Sequence, residues 1–240
     1  AISNILFYKL FCESMELLPP QKRGVYLQEN QGWESGLIDA WNRYGHSANL
    51  IGMPHSTLSY WDLRFYFDKR TYNKTIKCPK PLPNYVAVNG KNTRDKYLSW
   101  GYPKDDIIKV EALRYLNLIE KKYKIGTKKV PEITNNITVL VLGDYMKVNT
   151  DKLMKLVQEA DQLSKTNIKY IVKPHPMCPI DKSDYSELNI KITDNMIHQL
   201  LDECDFAIAS MSTSASVDVY ITGKPVVIYL DEKTLATSPL

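Results

Sequence analysis

Short apolar runs alternate with amphipathic stretches along most of the chain. Val25-Tyr-Leu-Gln28 predicts a strand that breaks at Glu29-Asn30-Gln31-Gly32. A helical period follows from Trp33 to Tyr44, with Gly45 as its stop. Ala48–Ile51, Tyr85–Val88 and Ile107–Val110 predict further strands, and Thr93–Trp100 a helix that ends at Gly101. The pattern restarts at Ile137–Leu142, almost wholly apolar, as a strand buried on both faces requires. Then come helix Asp151–Leu163, strands Ile168–Val172 and Ile190–Ile192, helix Met196–Asp202, strand Phe206–Ala209, helix Ser214–Ile221 and strand Val226–Tyr229. Strands alternating with helices at this spacing predict parallel, doubly wound sheets in an α/β fold.

The stretch from Lys121 to Pro131 is rich in Lys and carries both Gly and Pro, which marks a linker over 121–134. It divides an N-terminal domain, 1–120, from a C-terminal domain, 135–240, and clefts between domains commonly hold ligands. A composition that is 44% hydrophobic and 24% charged supports a packed core and excludes wholesale disorder. A net charge of +4 is too mild to imply nucleic acid; it suits anionic substrates or an anionic membrane surface. Cys12, Cys78, Cys178 and Cys204 are scattered, without the spacing of a zinc site or a disulfide framework, which favours the cytoplasm. No apolar run reaches the roughly 18 residues of a transmembrane helix, and no signal peptide is visible. The chain opens on Ala1 inside what reads as an element and closes on Thr-Ser-Pro-Leu soon after a strand, so truncation at both ends is expected.

Two strand ends carry the densest chemistry. Ile168–Val172 runs into Lys173-Pro174-His175-Pro176, a cation and an imidazole on a backbone fixed by prolines. Phe206–Ala209 runs into Ser210-Met-Ser212-Thr213-Ser214-Ala-Ser216. In open α/β sheets ligands bind outside the carboxyl ends of the strands, so these groups form a candidate anion site for a nucleotide phosphate. The plainer alternatives are a turn-holding histidine and serines that cap a helix. Gly143-Asp144 ends the first strand of this half, where a glycine lets backbone approach a ligand closely; an ordinary tight turn would look the same. Thr193-Asp194-Asn195 caps the next helix and could also lie beside a base. In the first half, Glu29 just beyond a strand is placed as a general base, and Glu34 is its rival, although a carboxylate in the first turn of a helix is also a common cap. His55 follows another strand end and reads as a loop pin or a substrate contact. No GxxxxGK[ST] or GxGxxG is present, so neither a P-loop nor a dinucleotide redox role is indicated.

On these residues, 25–230 resemble the GT-B glycosyltransferases that use CMP-activated sugar acids, namely bacterial Kdo transferases and GT-B sialyltransferases. That family directs a His-Pro motif and a Ser-rich motif at the CMP phosphate, matched here by His175-Pro176 and Ser212-Thr213-Ser214. Its Kdo members carry an E-x-E-x-W-P motif whose first Glu is the base. Glu29 and Trp33 match it, whereas Gln31 and Glu34 replace the second Glu and the Pro. Pro83–Gly90, Gly101-Tyr-Pro103 and Val110-Glu-Ala-Leu-Arg114-Tyr115 look like surface-carbohydrate (O-antigen or capsule) biosynthesis proteins, and Gly223-Lys-Pro225-Val-Val is similar to a widespread GT-B donor-domain signature.

The resemblance implies two Rossmann-like domains of the GT-B type. The implied activity is transfer of a Kdo- or sialic acid-like sugar from a CMP donor to a glycan or lipid-linked glycan acceptor. It implies Glu29 as catalytic base, with Glu34 left as a rival by the departure from the motif, and His175, Pro176, Ser212, Thr213 and Ser214 at the donor phosphate; the reading of the strand ends adds Gly143, Lys173, Asn195 and Ser216 around the donor. It implies no metal, no cofactor beyond the donor substrate, no nucleic-acid partner, and a cytoplasmic enzyme in peripheral contact with the inner membrane. The alternatives are a GT-B transferase for UDP-, GDP- or CDP-glycerol-type donors, or a non-catalytic GT-B-like module of a larger assembly protein.

Overall fold

A computed structural model describes residues 2–46, 48–55, 57–59, 61–72, 75, 79–118 and 136–240. The expected linker at 121–134 lies outside the described residues. The chain divides into two compact units, Ala1–Leu58 with Asp62–Ala112, and Ser59–Trp61 with Leu113–Leu240. The described residues 113–118 therefore group with the second unit.

The first unit is a four-stranded parallel sheet, β1 (Gly24–Leu27), β2 (Leu50–Met53), β3 (Tyr85–Val88) and β4 (Ile107–Lys109), whose strands lie side by side in chain order. Helix α1 (Ile2–Leu17) packs on α2 (Gly32–Arg43), and α3 (Lys91–Ser99) follows β3. Trp41 of α2 lies under β1 so closely that a Cβ on Gly24 would stand 2.6 Å from its ring, which is why β1 opens on glycine. Two apolar clusters fill the unit: Tyr26, Ile38, Trp41 and Leu50 beneath α2, and an aromatic group of Phe65, Tyr72, Tyr97 and Tyr102 beside Val86 and Val88. Side chains buried to this degree each contribute roughly 1.5–3 kcal/mol against leaving them exposed. Strand β2 begins at Leu50, two residues beyond the sequence expectation of Ala48, because Ala48 gives its carbonyl to the Trp41 indole N–H (2.9 Å) instead of to a strand.

The second unit is a five-stranded parallel sheet. Its strands are β5 (Asn136–Leu142), β6 (Asn167–Lys173), β7 (Ile190–Ile192), β8 (Phe206–Ser210) and β9 (Val226–Tyr229), in the spatial order β7-β6-β5-β8-β9. The chain moves outward through β6 and β7, then returns to the other side of β5 for β8 and β9. That reversal is the topological switch of a Rossmann half, and it lies between β5 and β8. Helices α4 (Lys147–Leu163), α5 (Ile197–Leu200) and α6 (Ala215–Ile221) make the connections. Val139, Val141, Tyr170 and Val172 of the sheet pack with Leu153, Met154 and Val157 of α4 in one buried cluster. Helix α4 starts at Lys147, four residues before the expected Asp151, since Asn149 and Thr150 are buried and tied to Asp144 rather than lying in a loop. No helix among the described residues is long and apolar enough to cross a membrane.

Candidate functional site

In the second unit the carboxyl ends of β5, β6 and β8 converge. Gly143 donates its N–H to the Lys173 carbonyl (3.0 Å), and a Cβ there would stand 3.3 Å from Pro174 Cα and 3.4 Å from the His175 nitrogen. The glycine thus lets the β5 end lie against the Lys173–His175 corner. Within that corner the His175 carbonyl accepts the Cys178 N–H (2.8 Å), and His175 Nδ1 accepts the Met177 N–H (3.1 Å). An Nδ1 that accepts places the neutral ring's proton on Nε2, so the imidazole keeps one N–H donor for a ligand. The Tyr145 ring stands edge-on to it at 6.2 Å. Pro176 is exposed on the same turn.

The residue after Gly143 organises the switch point. Asp144 is fully buried, and its carboxylate accepts from Ser210 Oγ (2.6 Å), Ser212 Oγ, the Met146 N–H (2.9 Å) and Asn149 Nδ2 (3.3 Å). Burial pushes this carboxyl up, but the hydrogen bonds from Ser210, Ser212, Met146 and Asn149 outweigh it and hold the group below its ordinary range. Ser212 is therefore turned inward. Ser216 is likewise fully buried, with its hydroxyl donating to the Thr213 carbonyl (2.8 Å). Thr213 Oγ1 accepts the Ala215 N–H (3.4 Å). Ser214 Oγ faces outward to Arg114, whose Nη2 donates to it at 3.3 Å.

Arg114 brings a cation that strand-end reasoning did not assign to the site. It lies 3.9 Å from the Asp218 carboxylate and lines a cavity of about 290 Å3 with Lys173, Met196, Ile197, His198 and Asp218. Burial pushes the Asp218 carboxyl up against the opposing pull of Arg114, and its Oδ1 is buried without a hydrogen-bond partner. Lys173 Nζ donates to the Asp194 carbonyl (3.2 Å), which joins the β6 end to the turn before α5. Asn195 is exposed on that turn, its N–H donating to Thr193 Oγ1 (3.2 Å). Lys173 and Arg114 set two basic side chains against the one carboxylate of Asp218 on the walls of this cavity, a balance that favours an anion.

In the first unit Glu29 and Glu34 have separate surroundings. Glu29 is half-exposed, and its Oε1 lies 3.4 Å from His55 Nε2, so the two strand-end residues form a carboxylate–imidazole pair. Glu34 is only 3% exposed, and its Oε1 accepts the N–H groups of Glu29 (2.8 Å) and Gln31 (2.9 Å), closing the first turn of α2 as a capping carboxylate does. Among the described residues no group of His, Cys, Asp and Glu could hold a metal ion, and Cys12, Cys178 and Cys204 are free thiols.

Solved structures share this architecture. A UDP-N-acetylglucosamine 2-epimerase from Rickettsia bellii is similar over 94% of this chain and 60% of its own, with 14% identity and a TM-score of 0.54. HepE from Anabaena, solved in complex with UDP and glucose, is similar over 93% of this chain and 62% of its own, with 14% identity and a TM-score of 0.50. The fold is of the GT-B type. At these identities the likeness establishes the architecture, and the chain spans about 60% of the length of those proteins. No protein-family model matches the chain, and no curated protein is similar to it at a significant level.

Proposed function

We propose that the second unit binds a nucleotide sugar and that the protein transfers its sugar to a glycan acceptor. The observation that carries this reading is the cation-lined cavity at the carboxyl edge of the second sheet, with Lys173 and Arg114 on its walls. Arg114 also donates to the Ser214 hydroxyl, and His175, two residues beyond Lys173 in the chain, offers its Nε2–H as a further donor. As the bond to the anomeric carbon breaks, negative charge grows on the departing phosphate. Preorganised cations and N–H donors stabilise that charge without reorganising, which is often the dominant source of rate enhancement. Glu29 takes the proton of the attacking hydroxyl, and His55 orients its carboxylate, a role typically worth about 10²–10⁴-fold.

The resemblance in His175-Pro176, Ser212–Ser214, Glu29 and Trp33 supports a CMP-linked sugar acid as donor. A UDP-sugar fits the same cavity no less well, and the two fold neighbours, one a UDP-N-acetylglucosamine 2-epimerase and one holding UDP and glucose, favour it. Calorimetric titration with CMP, UDP, GDP and CDP decides between them. The expected result is one preferred nucleotide whose affinity falls about tenfold or more in Lys173→Ala and in Arg114→Ala, as loss of a charge-assisted hydrogen bond implies. Glu29→Gln should leave that affinity unchanged and abolish sugar transfer. Absence of binding by every nucleotide would overturn the proposal. Turnover of a UDP-sugar without an acceptor would replace transfer by epimerisation.

A further inference from the structure

The first unit holds its own cavity of about 190 Å3 at the carboxyl end of β1, and the cap of α2 does not account for it. Capping uses only Glu34 Oε1. The other carboxylate oxygen, Oε2, is buried with no hydrogen-bond partner on a side chain that is 97% enclosed and lines the cavity. A buried carboxylate oxygen without a donor is costly, and a cap at a helix start would normally leave it in water. Nearby, the Tyr26 hydroxyl is also buried without a partner. On another wall stands Lys80, its Nζ 3.0 Å from the centroid of the Phe67 ring and in no ion pair among the described residues. Burial lowers the Lys80 ammonium to about 8 against the pull of Glu34, and raises the Glu34 carboxyl against the backbone N–H groups that its Oε1 accepts. The remaining walls combine the polar side chains of Gln28, Asn30, Gln31 and Ser35 with an apolar side that includes Ile38 and Leu82.

This donor set is specific. Glu34 Oε2 needs a hydrogen-bond donor, Lys80 Nζ needs an acceptor, and the Tyr26 hydroxyl takes either. One cation and one anion leave the site close to neutral overall, so neither a phosphate nor an amine is favoured. Adjacent hydroxyls meet both needs at once, while the C–H face of a ring meets the apolar walls. The volume is below the roughly 300 Å3 at which drug-sized pockets begin, which limits the occupant to a single ring. We propose that this cavity binds one neutral sugar ring, with Glu34 and Lys80 each holding a hydroxyl. The proposal stands independently of any nucleotide in the second unit.

Saturation-transfer NMR on the whole protein with glucose, galactose and N-acetylglucosamine tests it, with inorganic phosphate as competitor. At least one of the three sugars should bind, and its affinity should fall about tenfold or more in Glu34→Gln and in Lys80→Met. Glu34→Gln keeps an oxygen for the backbone N–H groups and turns the orphaned acceptor into a donor. Lys80→Met keeps the apolar stem. If Glu34→Gln melts early, Lys80→Met decides alone. Saturation transfer to none of the sugars, binding unchanged in the folded variants, or displacement by phosphate would each overturn the assignment.

Discussion

Asp144 offers the sharpest test of how the second unit is held together. Its carboxylate joins three segments at the switch point: the end of β5, the start of α4 and the end of β8. Asp144→Ala removes the acceptor of two buried donors, the Ser210 hydroxyl, 1% exposed, and the Asn149 amide, 7% exposed. Each buried donor left unpaired costs about 1–3 kcal/mol. Ser212 is half-buried and can turn to water, and removing a buried charge recovers part of the loss. The net cost is about 2–4 kcal/mol, or roughly 4–16 °C at the about 2–4 °C per kcal/mol expected for a protein of this size. Asp144→Asn, which keeps the shape and loses the charge, should cost about half as much.

The assay is calorimetry of the whole chain, with native-state hydrogen exchange at β5 and β8 amides locating the loss in the second unit. Acid sharpens it. Because hydrogen bonding holds the Asp144 carboxyl below its ordinary range, its contribution is complete above the unfolded-state value, about 3.9, and is lost as pH falls through the lower folded value. The gap between wild type and Asp144→Asn should therefore narrow below about pH 4. A melting temperature for Asp144→Ala within about 1 °C of wild type, or a gap that does not narrow in acid, would refute the reasoning.

Gly143→Ala forces a methyl to 3.3 Å from Pro174 Cα, where only backbone can yield; it should cost about 1–2 kcal/mol and weaken nucleotide binding together, and a variant matching wild type in both melting and titration would remove the close-approach argument. Lys80 gives a second pH signature, of the same sense as Asp144 but in the alkaline range. Its folded value of about 8 lies below the unfolded 10.5, so the unfolded chain binds more protons between them and stability rises with pH across that window. Discounted for the side chain's partial contact with solvent, the rise is about 1 kcal/mol. Lys80→Met should abolish it, and parallel pH–stability curves for wild type and variant would count against burial of the ammonium.

Much of the architecture was legible in the hydrophobic pattern. Tyr85–Val88, Ile190–Ile192 and Val226–Tyr229 are the strands that the apolar runs predict, because a parallel strand is short, apolar and bounded by polar or glycine residues. Helix α1 was not legible: Ile2, Ile5, Leu6, Phe7 and Leu10 are all exposed, so apolar residues surround the helix and leave no single stripe with the helical period. The start of α4 was hidden by Asn149 and Thr150, which read as loop residues until the carboxylate that binds them is seen. Lys80 and Arg114 lie in segments without periodicity. Only their position on cavity walls distinguishes them from other surface cations.

The serine cluster shows why a motif and its chemistry separate. Four hydroxyls at a strand end read as four donors for a phosphate, yet Ser212 and Ser216 are turned inward, and Thr213 takes a backbone N–H. The cause is the switch point itself. Strands β5 and β8 are paired up to their carboxyl ends, and just beyond them the buried Asp144 carries a charge that needs several donors. Ser210 and Ser212 supply them, so the residues that look most like a phosphate site are consumed in making its base rigid. The groups left for an anion are those that the rigid base holds in place: Lys173 and His175 at the β6 corner that Gly143 braces, and Ser214 with Arg114 above it. On this reading Ser212→Ala acts on binding through stability, whereas Arg114→Ala acts on binding directly. A nucleotide titration and a melting curve on the same two variants separate the two effects.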